Sequence, residues 1–519
     1  MRIGVDVGGT NTDAVLMDGK RVVASTKTAT TEDVGSGIAT AIAHVLRAGK
    51  VTPESLLAVM IGTTHFTNAF VERRRLARVG VIRLGYPAST AIPPLYGWPD
   101  ALFAAVGAPS YIVGGGYEYN GTLIAPFDES AVANAARNFR RDGLRAVAVS
   151  CVFAPVNSEQ EHRAEHIIKN EHPDAVVSLS SQFGRLGLIE RENAAVMNAS
   201  LLELAAHVIS SFKTALQGLN IIAPLYITQN DGTLMTAQYA ALHPVMTFAS
   251  GPTNSMRGAA FLTRAQDAVV IDIGGTTTDI GFLRNGFPRE SAMNSDIGGV
   301  RTNFRMPDVV SVGLGGGSLV RDDGNMTIGP QSVGYEILNK ALVFGGTVLT
   351  ATDIAVAAGL ADIGDRGRVK NLDSALVNQS LALIQSLIAR GIERVKVSAA
   401  DVPAILVGGG SILVSGAIKG VSEFSRPENY AVANAIGAAI AQAGGEVDRY
   451  YSYDQVGRDA ALQSAKDAAI QRALEAGAVP GTVSIVDTQE YPLAYLDGGT
   501  TRVRVKAVGE MSFFSDLGS

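Results

Sequence analysis

The chain contains the same short phrase twice, built from residue types that bind phosphate and a divalent cation. Residues 5–13 read VDVGGTNTD, and residues 271–279 read IDIGGTTTD. Glycine lets backbone N–H groups approach an anion closely and permits positive φ in a turn, while threonine hydroxyls add donors. Asp6 and Asp272 stand just before the glycines, where a carboxylate can hold Mg²⁺ or its water shell beside phosphates. The repeat therefore predicts a site for a polyphosphate and a metal ion.

The residues around each copy predict a β-hairpin. An apolar run precedes and follows each phrase, and a turn with Gly19 or Gly286 ends it. A single Gly-Gly-Thr turn is common in proteins, but two copies with the same flanking strands favour two hairpins that close on a polyphosphate across a cleft. Asp6 and Asp272 are the predicted catalytic and metal-binding residues, whereas Asp13 and Asp279 are expected either to join them or simply to cap the turn. The predicted phosphate-binding residues are Gly8, Gly9, Thr10, Asn11, Thr12, Gly274, Gly275, Thr276, Thr277 and Thr278.

Two more glycine-rich stretches follow. Residues 313–318 read GLGGGS and lead into residues 319–324, a pattern typical of a strand and turn rather than a helix, which counts against a dinucleotide-binding loop. Gly315 and Gly316 are predicted to lie near the cleft as cofactor-binding residues, with an ordinary tight turn as the alternative. Residues 404–407 form a buried-strand pattern that runs into GGGS at 408–411. The lysine-containing P-loop pattern does not occur in the sequence.

Two phosphate hairpins followed by a strand and a glycine turn resemble the superfamily of actin, sugar kinases and heat-shock ATPases. This resemblance implies an α/β fold of duplicated actin-like, ribonuclease H-like lobes with a nucleotide cleft between them. It also implies that residues 429–439 form the small-residue helix that packs against a partner helix in that fold. The residues it implies for adenosine binding are Gly408, Gly409, Gly410 and Ser411.

Within that superfamily, the sequence is similar to the hydantoinase A and 5-oxoprolinase family. The similar segments are GTTHFTNAFVER at 62–73, NDGTLM at 230–235, FASGP at 248–252, VGLGGGS at 312–318 and GPQSVG at 329–334. They follow the family's order from residue 1 to about residue 360. After residue 334 the family's PGPACYG run is replaced by YEILNK, and family members are commonly longer at the C-terminus. The substrate is the property that these differences leave most open.

The resemblance implies ATP and Mg²⁺ as cofactors, a small cyclic amide or ketone as substrate and a B-type partner subunit. A cyclic amide is stabilised by resonance between nitrogen and carbonyl, and phosphorylation of the carbonyl oxygen removes that resonance. The predicted activity is therefore ATP-dependent hydrolysis of a hydantoin, oxoproline or lactam. The alternatives are a subunit of an ATP-dependent ketone carboxylase, a non-metabolic ATPase such as a dehydratase-reactivating chaperone, and a sugar kinase.

Composition is consistent with a cytoplasmic enzyme that forms an oligomer. The 519 residues carry a net charge of −6, which offers no basic face for nucleic acid. Cys151 is the only cysteine, so no disulfide can form within the chain. No signal peptide is recognised and no apolar run is expected to reach membrane-spanning length. His162 and His166 lie one helical turn apart, but Arg163 occupies the position that a zinc-protease glutamate would need, so we interpret them as part of an exposed helix face.

The order of apolar patterns predicts alternating strands and helices in three regions. We expect a first lobe at 1–185, a second lobe at 186–440 and a C-terminal appendage of one helix and short strands at 441–519. The predicted helices are 33–48, 130–142, 158–169, 190–219, 374–390 and 428–442, with a C-terminal helix at 459–476.

Overall fold

The computed structural model describes residues 1–31, 33–183, 186–291, 295–303, 306–322, 324–493 and 498–511. Asp323, from the predicted strand and turn at 319–324, lies outside the described residues, as do residues 512–519 of the predicted appendage.

The described chain contains both strands and helices in each of its regions. The strands are β1 (Arg2–Val7), β2 (Asn11–Asp18), β3 (Arg21–Ala29), β4 (Ala58–Thr63), β5 (Val79–Tyr86), β6 (Gly107–Gly114), β7 (Ala146–Cys151), β8 (Val176–Leu179), β9 (Leu225–Thr228), β10 (Thr233–Thr236), β11 (Ala268–Ile273), β12 (Thr278–Arg284), β13 (Phe287–Pro288), β14 (Ser295–Ile297), β15 (Val300–Thr302), β16 (Val309–Val312), β17 (Ser318–Asp322), β18 (Met326–Ser332), β19 (Val402–Val407), β20 (Val421–Ser425), β21 (Gln442–Ser452), β22 (Ser484–Pro492) and β23 (Thr500–Gly509). The helices are α1 (Val34–Gly49), α2 (His65–Val71), α3 (Asp100–Val106), α4 (Glu129–Arg141), α5 (Glu159–Glu171), α6 (Leu188–Gly218), α7 (Ala237–Leu242), α8 (Ser250–Thr263), α9 (Ile337–Lys340), α10 (Ala351–Ala357), α11 (Ser374–Val395), α12 (Ala433–Ala439), α13 (Tyr453–Val456) and α14 (Arg458–Glu475).

Two sheets repeat the same strand order, which confirms the predicted duplication. In the first, β3-β2-β1-β4-β9 lie side by side, with β1 antiparallel to β2 and parallel to β4. In the second, β13-β12-β11-β19-β20 follow the same path, with β11 antiparallel to β12 and parallel to β19. Each sheet therefore places one phosphate hairpin beside a parallel strand, so the two hairpins occupy equivalent positions in the two lobes.

A third sheet is inserted into the first lobe between β4 and α6. Its strands are parallel and lie in the order β6-β5-β7-β8. A buried ion pair ties this sheet to α6, since Arg83 Nη2 on β5 lies 2.5 Å from Glu192 Oε1 and neither side chain is more than 1 % exposed. Ser150 Oγ on β7 donates to the same carboxylate at 2.6 Å. The inserted sheet is therefore attached to the lobe by a buried, hydrogen-bonded ion pair as well as by apolar contacts.

The sheets are not divided at residues 185 and 440, where the sequence predicts lobe boundaries. Strands β9 and β10 pair with the first sheet although they follow residue 186. Strands β21, β23 and β22 extend the same sheet beyond β10, so the predicted C-terminal appendage is built onto the first lobe. This long-range pairing could not be read from local patterns because the partner strands are far apart in the sequence.

The predicted helices are found within a few residues of their expected ends, with one exception. Helix α1 begins after Asp33, whose carboxylate accepts from Ser36 N at 3.1 Å and so caps the first turn. The helix predicted at 428–442 is shorter, because only Ala433–Ala439 is α-helical and β21 begins at Gln442.

Helix α6 also corrects an expectation about membrane-spanning length. By length and composition, Leu188–Gly218 would be long and apolar enough to cross a membrane, whereas the sequence analysis expected no such run. In the structure, 72 % of its most apolar stretch is buried inside the protein. Burial of this kind is typical of the core helix of a globular protein.

Helices α8 and α12 pack unusually closely between the two lobes. A Cβ on Gly258 would lie 1.9 Å from Ala433 O, and one on Gly437 would lie 1.9 Å from Asn254 O. On the other side of α12, a Cβ on Gly4 of β1 would lie 2.2 Å from Ala435 O. The small residues predicted for this segment are therefore needed for direct backbone contact.

Candidate functional site

The two predicted hairpins form, and their tips meet. Gly8 N donates to Asn11 O at 3.0 Å in the first turn, and Gly274 N donates to Thr277 O at 2.9 Å in the second. A Cβ on Gly275 would lie 3.3 Å from Thr10 Cγ2 of the opposite hairpin. A Cβ on Gly9 would meet no described atom within 4 Å. The two tips therefore contact one another through Thr10 and Gly275, and the backbone at Gly9 is open, as a phosphate site requires.

Two aspartates stand side by side on each hairpin. Asp6 pairs with Asp13 in the β1–β2 register, and Asp272 pairs with Asp279 in the β11–β12 register. Asp13 and Asp279 are therefore not turn caps, as one interpretation of the sequence had it, but cross-strand neighbours of the predicted catalytic residues. Asp6 and Asp13 are only 4 % and 2 % exposed.

Burial and mutual repulsion raise the pKa values of these carboxyl groups. The pKa of Asp6 is raised to about 6, first by burial and then by the charge of Asp13, with a smaller contribution from Asp272 across the cleft. The pKa of Asp279 is also raised to about 6, by burial and by Asp272. Burial raises the pKa of Asp272 too. The site thus concentrates negative charge that a cation would stabilise.

The two helices between the lobes supply hydrogen bonds to these aspartates. Asn434 Nδ2 on α12 donates to Asp6 Oδ2 at 2.9 Å and to Asp13 Oδ2 at 3.0 Å. On α8, Asn254 Nδ2 donates to Asp6 Oδ1 at 3.4 Å, and Ser255 Oγ donates to Asp272 Oδ2 at 2.5 Å. Consecutive residues of one helix therefore hold the aspartates of both hairpins. The sequence analysis missed Asn434, Asn254 and Ser255, because a lone amide or hydroxyl on a small-residue helix carries no local signal.

The loop containing Gly315 and Gly316 supports the second hairpin from behind. Gly316 N donates to Gly274 O at 3.0 Å, and Gly317 N donates to Gly275 O at 2.8 Å. A Cβ on Gly315 would lie 2.5 Å from Thr276 N, so only glycine permits this contact. The prediction that this loop lies near the cleft agrees with these contacts, although its N–H groups bind the hairpin backbone.

Two of the predicted phosphate-binding threonines point away from the cleft. Thr278 is fully buried, and its hydroxyl donates to Leu314 O at 2.6 Å. Thr12 is 1 % exposed, and its hydroxyl lies 3.2 Å from Thr30 Oγ1. The two threonines occupy equivalent positions, because Thr12 pairs with Val7 and Thr278 pairs with Ile273 in the two hairpins. Their positions do not support the predicted phosphate contacts.

The third glycine cluster lies directly against the second hairpin. Gly408 has φ of +81°, and a Cβ there would lie 2.2 Å from Asp272 Oδ1. A Cβ on Gly410 would lie 2.6 Å from Ile273 Cγ2. Gly409 differs, because a Cβ there would meet only Lys27 Cε, at 4.0 Å. Gly409 is thus the residue that faces open space, while the Oγ of fully buried Ser411 has no partner among the described residues.

Lys27 is a charged site residue that the sequence analysis did not single out. It lies opposite Asp13 in the β2–β3 register, and its Nζ is 2.6 Å from Asp13 Oδ1. Burial raises the pKa of Asp272 on the other hairpin, and the charge of Lys27 partly offsets that rise. The signal was available in principle, since a lysine near the middle of β3 faces the same side of the sheet as its cross-strand partner on β2.

The predicted metal ligands Asp6 and Asp272 fit a magnesium ion that is shared with phosphate oxygens and water. Among the described residues, no group of three or more His, Cys, Asp or Glu side chains is placed to hold a metal alone. Mg²⁺ beside nucleotides is commonly held by one or two carboxylates, with phosphates and water as the other ligands. Carboxylates whose charges raise one another's pKa, buried in the first hairpin and half-buried in the second, match that donor set.

The remaining candidate residues lie outside this cluster. The side chain of His162 is 58 % exposed, and its Nδ1 lies 3.8 Å from Glu165 Oε2, which agrees with an exposed helix face. Cys151 is buried, and burial raises the pKa of its thiol, so it has the properties of a packing residue. His65 is the first residue of α2 and is half-buried, and burial lowers its pKa.

A separate cavity of about 1020 Å³ borders the first lobe. Its lining includes four side-chain amides, which are those of Gln182, Gln229, Asn230 and Asn303. Thr228, the last residue of β9, accepts at its Oγ1 from Asn254 Nδ2, the amide that also donates to Asp6. The next two residues, Gln229 and Asn230, line the cavity, so one short segment contacts both the cavity and a residue that hydrogen-bonds to Asp6.

Comparison with protein families identifies the chain. The model described as the hydantoinase/oxoprolinase N-terminal region matches residues 2–172, and the model described as hydantoinase/oxoprolinase matches residues 191–395. Together these matches cover well over half of the 519 residues. The chain belongs to the hydantoinase/oxoprolinase family, as its motifs predicted.

Two curated relatives are enzyme subunits, one of a caprolactamase and one of a carboxylase. The chain is 27 % identical over 383 residues to caprolactamase subunit alpha of Pseudomonas jessenii, covering 70 % of this chain and 55 % of that protein. It is 26 % identical over 390 residues to acetophenone carboxylase gamma subunit of Aromatoleum aromaticum, covering 69 % and 53 %. The chain thus spans about half the length of these relatives.

Solved structures show the same fold. The ATP-dependent caprolactamase from Pseudomonas jessenii superposes with a TM-score of 0.77 at 20 % identity, covering 98 % of this chain and 88 % of that one. Nucleotide-free acetone carboxylase gives a TM-score of 0.70 at 18 % identity with the same coverage. With the repeated strand order, these matches confirm the predicted α/β fold of two duplicated lobes.

Proposed function

We propose that this protein is the nucleotide-binding subunit of an ATP-dependent enzyme that activates the carbonyl group of a small cyclic amide. A hydantoin, an oxoproline or a lactam has the required chemistry. The observation that supports this most is the pair of glycine-tipped hairpins, each with two aspartates in cross-strand register, whose tips meet at Thr10 and Gly275. The similarity to caprolactamase subunit alpha supports the amide substrate.

In this proposal, the two lobes bind the phosphates from opposite sides. The backbone N–H groups of Gly8 and Gly9 act from the first hairpin, and those of Gly274 and Gly275 act from the second. The exposed or half-buried side chains of Thr10, Asn11, Thr276 and Thr277 add donors. Asp6 and Asp272 hold Mg²⁺, and the open backbone at Gly409 lies against adenosine.

ATP supplies the γ-phosphoryl group, which forms a new P–O bond to the amide oxygen while its bond to ADP breaks. The residues of this chain contribute position and charge rather than covalent chemistry. Asn254, Ser255 and Asn434 fix the aspartates by hydrogen bonds, so the carboxylates need not reorganise during transfer. With a B-type partner subunit, water adds to the activated carbon and the C–N bond breaks. Hydrolysis of the resulting acyl phosphate then releases inorganic phosphate and the ring-opened carboxylate.

A ketone carboxylase subunit is the second candidate. It is favoured by the similarity to acetophenone carboxylase gamma subunit and to acetone carboxylase beta subunit of Xanthobacter autotrophicus, the latter 23 % identical over 380 residues. Phosphorylation of a ketone's enolate oxygen would use the same nucleotide site. A cytoplasmic location and an oligomeric state stay predictions from the sequence.

ATP turnover measured against a panel of added compounds tests the proposal. The protein, purified with its partner subunit, would be assayed with lactams, imides, hydantoins and ketones, with and without bicarbonate. The Asp272→Asn variant serves as the matched inactive control. Stimulation by a cyclic amide that is lost in the variant is the expected result. Stimulation only by a ketone with bicarbonate would replace the amide with the carboxylase function, and stimulation only by a folded protein client would indicate a reactivating ATPase.

A further inference from the structure

The two lobes have the same arrangement of hairpin strands, but they differ at one charged residue, Lys27. In the first lobe, Lys27, Asp13 and Asp6 lie in a row across β3, β2 and β1. In the second lobe, the strand beside Asp279 presents Ser311 instead of a lysine, and its hydroxyl donates to Asp279 Oδ1 at 2.5 Å. The ammonium group of Lys27 therefore has no equivalent beside Asp279 in the second hairpin, so any role of this lysine is specific to the first lobe's side of the cleft.

The side chain of Lys27 lies between Asp13 and the glycine turn at Gly409. Its Nζ lies 2.6 and 2.7 Å from the two oxygens of Asp13. Its Cε lies 4.0 Å from the position of a Cβ on Gly409, and its charge acts on Asp272 across the cleft. Its side chain is 35 % exposed, whereas that of Asp13 is 3 % exposed. The ammonium is thus the accessible partner of a buried carboxylate.

The cleft contains more carboxylates than cations, so the charge of Lys27 is available to interact with an anionic ligand. Asp6, Asp272 and Asp279 have raised pKa values, and among the groups that shift them in the described part of the chain, Lys27 is the one cation. A bound triphosphate would bring further negative charge into this cleft. No P-loop lysine is present in the sequence to meet it.

We propose that Lys27 binds the phosphates of the nucleotide: its ammonium turns from Asp13 to phosphate oxygens between the hairpins when nucleotide enters. This proposal rests on the nucleotide site proposed above. Asp13 keeps a partner in the bound state, because Asn434 Nδ2 already donates to its Oδ2 at 3.0 Å. The flexible lysine stem permits the turn while the strand that carries it stays paired.

Calorimetric binding to the full chain tests the proposal without any assay of turnover. The probes are a non-hydrolysable ATP analogue with Mg²⁺, and adenosine alone. Lys27→Met should weaken binding of the analogue by about 10- to 100-fold, the range expected for a charged hydrogen bond, and leave adenosine binding unchanged. Lys27→Arg should recover most of the loss. Lys20→Met, which removes an exposed lysine in the turn between β2 and β3, should match the wild type.

A double variant separates direct contact from simple neutralisation of Asp13. Lys27→Met leaves a buried carboxylate without its ammonium and can destabilise the fold, whereas Lys27→Met with Asp13→Asn removes both charges together. If Lys27 binds phosphate, the double variant stays weak for the analogue. Recovery of wild-type affinity in the double variant, or unchanged affinity in Lys27→Met, would overturn the proposal. If the wild type does not bind the analogue, the proposed function is itself wrong. If the wild type binds the analogue and Lys27→Met binds it equally well, only the proposed role of Lys27 is wrong.

Discussion

Asp6→Asn should stabilise the nucleotide-free protein while abolishing its use of Mg²⁺. Asp6 is 4 % exposed, and its pKa is raised to about 6 from the ordinary aspartate value of about 4, because burial and the charge of Asp13 disfavour its ionised form. A shift of about two units corresponds to about 3 kcal/mol at ~1.4 kcal/mol per unit. That free energy opposes folding when the Asp6 carboxylate is ionised. An uncharged asparagine amide at the same position does not have this cost.

The pH dependence gives the sign of the effect. Because the folded pKa lies above the unfolded one, the folded protein binds more protons between the two values, and stability is lost as the pH rises through that window. Asp6→Asn should therefore be more stable than the wild type by up to about 3 kcal/mol at pH 8. The gain should shrink as the pH falls from 6 toward 4. The amide can be accommodated, since Asn254 Oδ1 has no partner among the described residues and can accept from it after the Asn254 amide rotates.

Urea unfolding at pH 8 and pH 5, without nucleotide, measures this difference. Asp18→Asn is the matched control, because Asp18 is an exposed aspartate at the end of the same hairpin. The control should change stability by less than about 0.5 kcal/mol at either pH. A stability gain in Asp6→Asn that does not depend on pH, or a loss at pH 8, would refute the electrostatic reasoning.

Other variants test single contacts in the site and the fold. Asp272→Asn should fold normally but lower ATP turnover by about 100-fold or more, since the loss of roughly 3 kcal/mol of charge interaction has that effect on a rate; unchanged turnover would remove Asp272 from the site. Gly409→Val should leave the unfolding midpoint unchanged, because a Cβ there meets only Lys27 Cε at 4.0 Å, yet weaken ATP binding measured by calorimetry. Equal affinity would show that adenosine lies elsewhere. Gly258→Ala should destabilise the protein by about 1–3 kcal/mol in thermal unfolding, because its Cβ would lie 1.9 Å from Ala433 O, and a neutral result would contradict the close packing of α8 and α12.

The local parts of this structure were predictable from sequence because their signals are local. Each hairpin is encoded by apolar runs around a glycine turn, and the amphipathic helices end near their expected residues. The glycine turn at 408–411 follows its buried strand as predicted. The resemblance to the family gave the order of these elements, and that order predicted a cleft between two lobes.

What the sequence could not reveal depends on contacts between distant residues. Asn434 is 428 positions from Asp6, yet its amide donates to that carboxylate. Strands β21 to β23 join the first sheet only because β10 offers them an edge, so the predicted appendage is part of that lobe. The inward direction of Thr278 likewise depends on Leu314 O as its acceptor. Such partners are set by the fold, not by neighbouring residues.

Hydrogen exchange at the two hairpins tests the central claim that both bind one Mg-nucleotide. Residues 6–13 and 272–279 lie in different lobes, and their tips meet at Thr10 and Gly275. With a non-hydrolysable ATP analogue and Mg²⁺, both segments should gain protection together, and neither should respond fully when Mg²⁺ is withheld. Protection of one hairpin alone, or equal protection without the metal, would contradict a site built from both lobes.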